Sequence, residues 1–516
     1  MNYWHGCLGL HWLVLIALLM TGCSLPPITD RTESYILSVE DARLTRLGAA
    51  VKDRNDSNPE LTGIYTLNGP RDAFAARALL ARVAEKTLDV QYYIWKGDIT
   101  GTLLLEEIHA AADRGVRVRL LLDDNGTYGL DKDLSVLNLH PNIEVRLFNP
   151  FTNRSFKSLG FITDFDRLNR RMHNKSFTVD NTATIIGGRN VGDEYFGATD
   201  GLLFDDLDVM AIGEVVDSVS KDFDRYWHSL SAYPIESLVS RPPQYTLDEL
   251  HSAAKAVERL PGAADYVKAI RELPFVQKLL NDELPLIWAR TQMISDSPNK
   301  ALGLAEKEDL LITRLAEFGG QAEQELFLVS PYFVPTKEGV KVFKTLIDNN
   351  IDVRVLTNSL DATDVIPVHA GYAKRRKALL KDGVKIFEMQ RTAPKGNLDF
   401  KDLLGSSGSS LHAKTFALDR KRVFIGSFNF DPRSANLNTE LGFLIESPKL
   451  ANDVVNVFQH ELYKRSYEVV LNQEGKLQWQ EHRGNEIKLH FNEPRTPWYK
   501  RAFVKFCSWL PIEPLL

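Results

Sequence analysis

Apolar and polar positions run along this chain in one order, and then in the same order again. Leu88-Asp89-Val90-Gln91-Tyr92-Tyr93-Ile94-Trp95 is a short, aromatic-rich apolar run, and Leu326-Phe327-Leu328-Val329-Ser330-Pro331-Tyr332-Phe333 is another. Runs of that length and composition predict buried strands. A helical pattern precedes each, over 73–85 and 309–318, and a second follows each, over 101–114 and 337–349. Further apolar runs come next, at 116–122 and 143–148 in the first copy and at 351–356 and 384–389 in the second. The offset is steady, 239 residues from Tyr93 to Tyr332 and 241 from Ile143 to Val384. Strand–helix–strand order with mostly apolar strands predicts a largely parallel sheet with helices on both faces. The chain therefore reads as α/β, with two homologous halves, 61–235 and 306–470, packed about a pseudo-twofold axis.

Between the halves, residues 236–305 are polar and helix-prone, with Pro242-Pro243 and Pro261-Gly262, and are expected to form a helical linker. After the second half, 477–480 and 487–491 alternate around Arg483-Gly484-Asn485, a hairpin signal. The last segment puts Trp498, Ala502, Phe503, Phe506 and Trp509 on one helical face, with Lys500, Arg501 and Lys505 off it. Such a face suits a helix lying in a membrane interface; a helix docked on the core is the other reading.

Composition narrows the class. The 516 residues are 44% hydrophobic and 25% charged, which excludes a disordered, collagen-like or polytopic membrane chain. A net charge of −6 provides no global positive field for nucleic acid, so any polyanion site is local. Three cysteines, Cys7, Cys23 and Cys507, exclude a disulfide scaffold or a Cys-rich metal site. Residues 1–22 read as a signal peptide, because the apolar run 8–20 is shorter than the ~20 residues of a spanning helix. Met20-Thr21-Gly22-Cys23-Ser24 resembles a bacterial lipobox, which makes Cys23 a lipidated first residue and 23–60 a lipid-anchored tether. Met20 stands where Leu is usual and residues 1–6 lack Lys and Arg, so an uncleaved anchor or a mis-set start is the alternative.

Each half ends in one constellation. The first is His173-Asn174-Lys175, Asp180 and Gly187-Gly188-Arg189-Asn190; the second is His412-Ala413-Lys414, Asp419 and Gly426-Ser427-Phe428-Asn429. On a strand, residues i and i+2 share a face, so each His lies beside its Lys. An imidazole attacks phosphorus only when neutral, and a neighbouring ammonium discourages its protonation. Lys175, Lys414, Asn190 and Asn429 supply donors for phosphate oxygens, and the glycines let the backbone approach a ligand. Two such sets around one phosphorus dictate a two-step displacement: one His forms a phosphohistidine, the other protonates the leaving alkoxide and then deprotonates the incoming alcohol. Asp180 and Asp419 join the catalytic list by motif, although acidic residues at strand ends also fix turns.

This pattern resembles the phospholipase D superfamily and, within it, the bacterial cardiolipin synthases of the C type; the resemblance spans about 72–467. It implies that His173 is the nucleophile and His412 the acid/base, with the reverse assignment left open by the pseudo-symmetry of the two sets. It also places a ring-orienting carboxylate 28 residues past the histidine, at Glu440. The first half departs there, since 28 past His173 is Gly201 and 197–204 looks inserted, so Asp206 is the candidate. The implied reaction transfers a phosphatidyl group from a glycerophospholipid (phosphatidylglycerol or phosphatidylethanolamine) to phosphatidylglycerol, making cardiolipin. Alternatives are a hydrolase releasing phosphatidic acid, a nuclease, against which the acidic balance argues, and a non-catalytic lipid-binding lipoprotein. No His/Asp/Glu cluster shows metal-ligand spacing, so neither cofactor nor metal is expected. Expected partners are phospholipids and a membrane surface, not nucleic acid; the place is the bacterial envelope, facing the periplasm.

Other residues carry paired readings. Arg167, Arg170 and Arg171 either hold a second lipid phosphate or form a solvated charge run. Asp364, His369 and Tyr372 either line the pocket or serve the helix that follows. Lys374-Arg375-Arg376-Lys377 reads as a basic helix face for anionic headgroups. The loop 405–410 is a lid or an inert linker, and Tyr92, Tyr93 and Trp95 read as core.

Overall fold

The computed structural model describes residues 25–28, 31–197, 206–391, 411–460 and 462–516. Cys23 and the 405–410 loop lie outside them. The strands of the first half are β1 (Thr62–Leu67), β2 (Thr87–Tyr92), β3 (Arg117–Asp123), β4 (Ile143–Phe148), β5 (Ser176–Val179), β6 (Ala183–Gly187), β7 (Asp208–Gly213) and β8 (Ala232–Pro234). Then come β9 (Ile287–Ser295), β10 (Glu325–Val329), β11 (Asp352–Asn358), β12 (Lys385–Met389), β13 (Thr415–Leu418), β14 (Arg422–Gly426) and β15 (Leu441–Glu446). The remaining three are β16 (Ser466–Leu471), β17 (Leu477–Arg483) and β18 (Glu486–His490). The helices that matter below are α1 (Pro70–Val83), α2 (Ile99–Asp113), α3 (Lys157–Thr163), α4 (Phe165–Leu168), α5 (Leu247–Glu258), α6 (Ile366–Asp382), α7 (Pro432–Asn436) and α8 (Trp498–Trp509).

Each half has a parallel trio, β2–β3–β4 and β10–β11–β12. An antiparallel meander leaves the first strand of each trio, β5–β6–β7 from β2 and β13–β14–β15 from β10. All six residues of β2 are buried although polar and apolar residues alternate along it, and Arg119 pairs with the buried Asp89 at 2.7 Å. α1 and α2 cover the strand with Ala73, Phe74, Leu80, Leu104 and Ile108 in the same core. Asp98 starts α2 by accepting the N–H of Gly101 at 3.1 Å.

The 236–305 stretch is not wholly helical. It ends in β9, whose first residues pair with β1 and whose remainder pairs with β15. One strand thus stitches both sheets into a continuous ladder running from β8 to β18. Its alternating burial leaves one face on the core and one on solvent, a period-2 signal hidden among polar residues. The halves also meet face to face, with Ile186, Val209 and Ala211 of the first packed in one cluster with Ile425, Leu441 and Phe443 of the second.

The backbone register corrects one equivalence. Lys96 N–H donates to Val191 O and Val334 N–H to Phe430 O, each at the end of the first parallel strand. Val334 therefore matches Lys96, and Tyr332 matches Ile94 rather than Tyr93. α8 follows the docked reading of the C-terminus and leaves its aromatic face exposed. Val504 and Cys507 pack on Leu360, Ile366 and Ala370 at the start of α6, while Trp498, Phe503, Phe506 and Trp509 stay exposed. No helix among the described residues is long and apolar enough to cross a membrane.

Candidate active site

His173 and His412 stand just before β5 and β13, beyond the C-terminal ends of β2 and β10. The end of a parallel strand is where an α/β fold opens for a ligand. The segment entering each motif is pinned by the last residue of the neighbouring parallel strand. Asp123 accepts the Met172 N–H at 2.8 Å and the Arg171 Nε–H at 3.0 Å. Asn358 exchanges two bonds with the Leu411 backbone, at 3.1 and 3.0 Å. Arg171 is therefore a buried anchor and not a phosphate ligand. Arg167 bonds Asp164, Asn149 and the Pro150 carbonyl, and Arg170 reaches the carbonyls of Lys300 and Asn436. Structural duties thus occupy all three arginines.

The ring-orienting carboxylates are exchanged between the halves. Each was counted along the sequence from the histidine of its own half. The His173 Nδ1–H instead donates to Glu440 Oε2 at 2.8 Å, and the His412 Nδ1–H to Asp206 Oδ2 at 2.7 Å. The backbone crosses at the same place, with His173 N–H on Thr439 O and Thr439 N–H on Arg171 O, both 2.9 Å. Two hydroxyls not singled out from the sequence hold Glu440: Ser427 Oγ donates to Oε2 at 2.5 Å and Ser434 Oγ to Oε1 at 2.7 Å. Ser427 is the serine of the Gly-Ser-Phe-Asn motif, which was its only sequence signal. Gly188 is required on the other side, because a Cβ there would sit 2.3 Å from Asp206 Oδ1.

Charge differs between the two rings. Burial drives the His173 pKa well below 6.5, reinforced by Lys175 and Lys414. Its carboxylate partner is itself raised by burial to about 7. His412 is also lowered by burial and Lys414, but Asp206 opposes the shift. Burial would raise Asp206, yet His412, Arg189 and Lys414 hold it well below the carboxylate range. Burial brings Lys175 to about 7 and Lys414 to about 8. Each ammonium is tied to its own histidine's carbonyl, Lys175 Nζ at 2.6 Å and Lys414 Nζ at 2.5 Å. Asn190 Oδ1 accepts the Ile94 N–H at 3.3 Å, and the buried Asn429 Oδ1 has no hydrogen-bond partner among the described residues.

Asp180 and Asp419 require correction, because they lie at the other end of the sheets. Asp180 accepts the N–H groups of Glu85, Lys86 and Thr87, and Asp419 those of Glu323, Gln324 and Glu325. Each pins the start of the first parallel strand from a left-handed turn residue, with φ of 51° and 53°. Neither touches an imidazole.

Aromatic walls complete the mouth. The Tyr93 ring meets His173 edge-on at 5.0 Å and Tyr195 meets His412 at 5.3 Å. Tyr332 donates to Asp364 Oδ2 at 2.7 Å. Tyr92 and Trp95 are core, whereas Tyr93 is half-buried at the site; Tyr195 and Tyr332 carried no motif. His369 sits beside Glu493 and Tyr372 donates to Glu388, so of that trio only Asp364 reaches this region. Of the basic run on α6, Arg375 pairs with Glu513 and the buried Arg376 with Glu388 and Glu493, which leaves Lys374 and Lys377 as its exposed residues.

The family described as "Cardiolipin synthase, PLD-like domain" matches residues 80–227 and 316–462, one match for each histidine set. The chain belongs to this cardiolipin synthase, PLD-like family. Among members of the PLD-like family, Cardiolipin synthase C of Escherichia coli is 47% identical over 92% of this chain and 100% of its own length. An uncharacterized protein of Helicobacter pylori is 33% identical over 88% of this chain and 86% of its own. A crystal structure of phosphatidylserine synthase from Haemophilus influenzae shares the PLD-like fold. Its TM-score is 0.56 at 14% identity, covering 90% of this chain and all of that one.

Proposed function

We propose that the protein is a phosphatidyltransferase that makes cardiolipin, moving a phosphatidyl group from a glycerophospholipid to a hydroxyl of phosphatidylglycerol. The carrying observation is the crossed pair, His173 with Glu440 and His412 with Asp206, which ties both imidazoles to one interface between the halves. His173 Nε2 attacks phosphorus, and the bond from phosphorus to the head-group oxygen breaks. That oxygen takes the proton held on His412 Nε2. The hydroxyl of phosphatidylglycerol then gives its proton to His412 while its oxygen attacks phosphorus and breaks the P–N bond. The firmly ionised Asp206 opposes the lowering of His412, while His173 is driven well below 6.5 and is the more readily neutral ring, which supports this division of roles. Lys175, Lys414, Asn190 and Asn429 hold the non-bridging oxygens.

The substrates stay in a bilayer, and two exposed apolar surfaces suit that partner. Phe156, Leu159, Ile162 and Phe165, on and around α3 and α4, follow β4, and the α8 aromatics sit where α6 leaves β11. Both lie past the C-terminal ends of parallel strands, the side of the sheets on which the histidines stand. Lys500, Arg501 and Lys505 beside the α8 aromatics add attraction for anionic lipid. A Cys23 lipid anchor in the envelope, facing the periplasm, is consistent with this orientation.

The test is purified protein with labelled phosphatidylglycerol in vesicles, with and without phosphatidylethanolamine. A diphosphorylated, four-chain lipid supports the transferase. Phosphatidic acid as the sole product identifies a hydrolase, and no product identifies a binding lipoprotein.

A further inference from the structure

Sequence spacing showed no metal cluster, but the fold assembles one far from the two reaction histidines. Glu106, His109 and Asp113 lie at i, i+3 and i+7 on α2, one stripe of its surface. His251 arrives from α5, in the segment joining the halves, and His140 from the turn before β4. Two triads result, Glu106–His109–His251 and His109–Asp113–His140, each with ligand atoms within 4.8 Å of one another.

Hydrogen bonding chooses between them. His140 Nδ1 accepts the Asn142 backbone N–H at 3.1 Å, so its proton sits on Nε2, which faces Asp113 at 3.3 Å. The backbone donor on Nδ1 locks that tautomer, so the nitrogen turned toward Asp113 keeps its N–H, whereas among the described residues no backbone N–H holds the tautomer of His251 or His109. In the other triad both imidazoles bracket one carboxylate: His251 Nδ1 is 2.6 Å from Glu106 Oε1 and His109 Nδ1 is 3.9 Å from Oε2. Ligand atoms about 2.0–2.2 Å from a tetrahedral ion lie about 3.3–3.5 Å apart, so sub-ångström side-chain shifts close this set.

We propose that Glu106, His109 and His251 bind one borderline divalent cation of the zinc class. Two imidazole nitrogens and a carboxylate suit such an ion and leave a fourth position for water. His109 is buried and His251 half-exposed, so an ion enters from the α5 side. His109 lies about 15 Å along α2 from its N-terminus at 1.5 Å per residue, which separates the site from the strand ends where the reaction occurs. The bound ion would clip α5 to α2 and take no part in phosphatidyl transfer.

The experiment uses the full chain without a polyhistidine tag, stripped with chelator and titrated with Zn2+ and, separately, with Co2+. One saturable equivalent with micromolar or tighter Kd is expected, with Co2+ absorption bands of nitrogen–oxygen ligation. His251→Ala, an accessible position, and His109→Ala each weaken binding by about 100-fold or more, while His140→Ala changes it less than about threefold. Zn2+ raises the melting temperature of the wild type and not of His251→Ala. No saturable binding, binding that survives both substitutions, or equal loss in His140→Ala overturns the assignment.

Discussion

His173 and Glu440 lie 267 residues apart in the chain and 2.8 Å apart in space, and Asp206 and His412 repeat the exchange in the opposite sense. Each half thus carries the histidine that its partner orients. Glu440→Gln and Asp206→Asn should each lower kcat by about 10²-fold or more, since outer partners of a working imidazole fix its tautomer and orientation. Steady-state kinetics on vesicles check this, with circular dichroism to confirm folding. Neither half should turn over alone, even if it folds.

The acid–base balance predicts where activity peaks. His173 must be neutral to attack, and its pKa sits well below 6.5, so the acid limb of kcat/KM falls below the ordinary histidine range. Lys175 at about 7 and Lys414 at about 8 lose their charge as pH rises, and with it their hold on the phosphate. kcat/KM should decline above about pH 7, and Asp206→Asn should move that limb to lower pH by removing a charge that raises both Lys175 and Lys414. A profile flat to pH 9 would contradict this account.

Asp180 and Asp419 should behave as structural residues. Asp180→Ala leaves three backbone N–H groups at the start of β2 without their acceptor. The expected cost is about 1–3 kcal/mol of stability, read by urea unfolding. The fraction that remains folded should keep kcat near the wild-type value, unlike His173→Ala.

The apolar surfaces predict a split between binding and chemistry. Trp498 and Trp509 are each 73% exposed and Ile162 80% exposed. Trp498→Ser with Trp509→Ser, and separately Ile162→Ser, should reduce sedimentation with vesicles containing phosphatidylglycerol. Turnover of a short-chain, water-soluble phosphodiester should be unchanged. Equal losses in both assays would place these residues in the reaction rather than at the membrane.

Periodicity and motif spacing were enough to reveal the duplication, the α/β class and both His-Lys-Asn sets, because local spacing alone puts His and Lys on one face of a strand. The family resemblance, counted from the motifs, nominated Glu440 and, past the apparent insertion, Asp206. Counting along the chain could not say which ring each would meet, because that depends on two halves packing through Ile186, Val209, Ile425 and Phe443, a contact between segments over 200 residues apart. β9 was hidden for the same reason: its alternating face has meaning only once β1 and β15 flank it. Asp180 and Arg171 share their composition with catalytic and phosphate-binding residues, and only the partners they find in three dimensions separate an anchor from a ligand. Hydrogen-bond geometry is a property of folded distance, and sequence records distance only along the backbone.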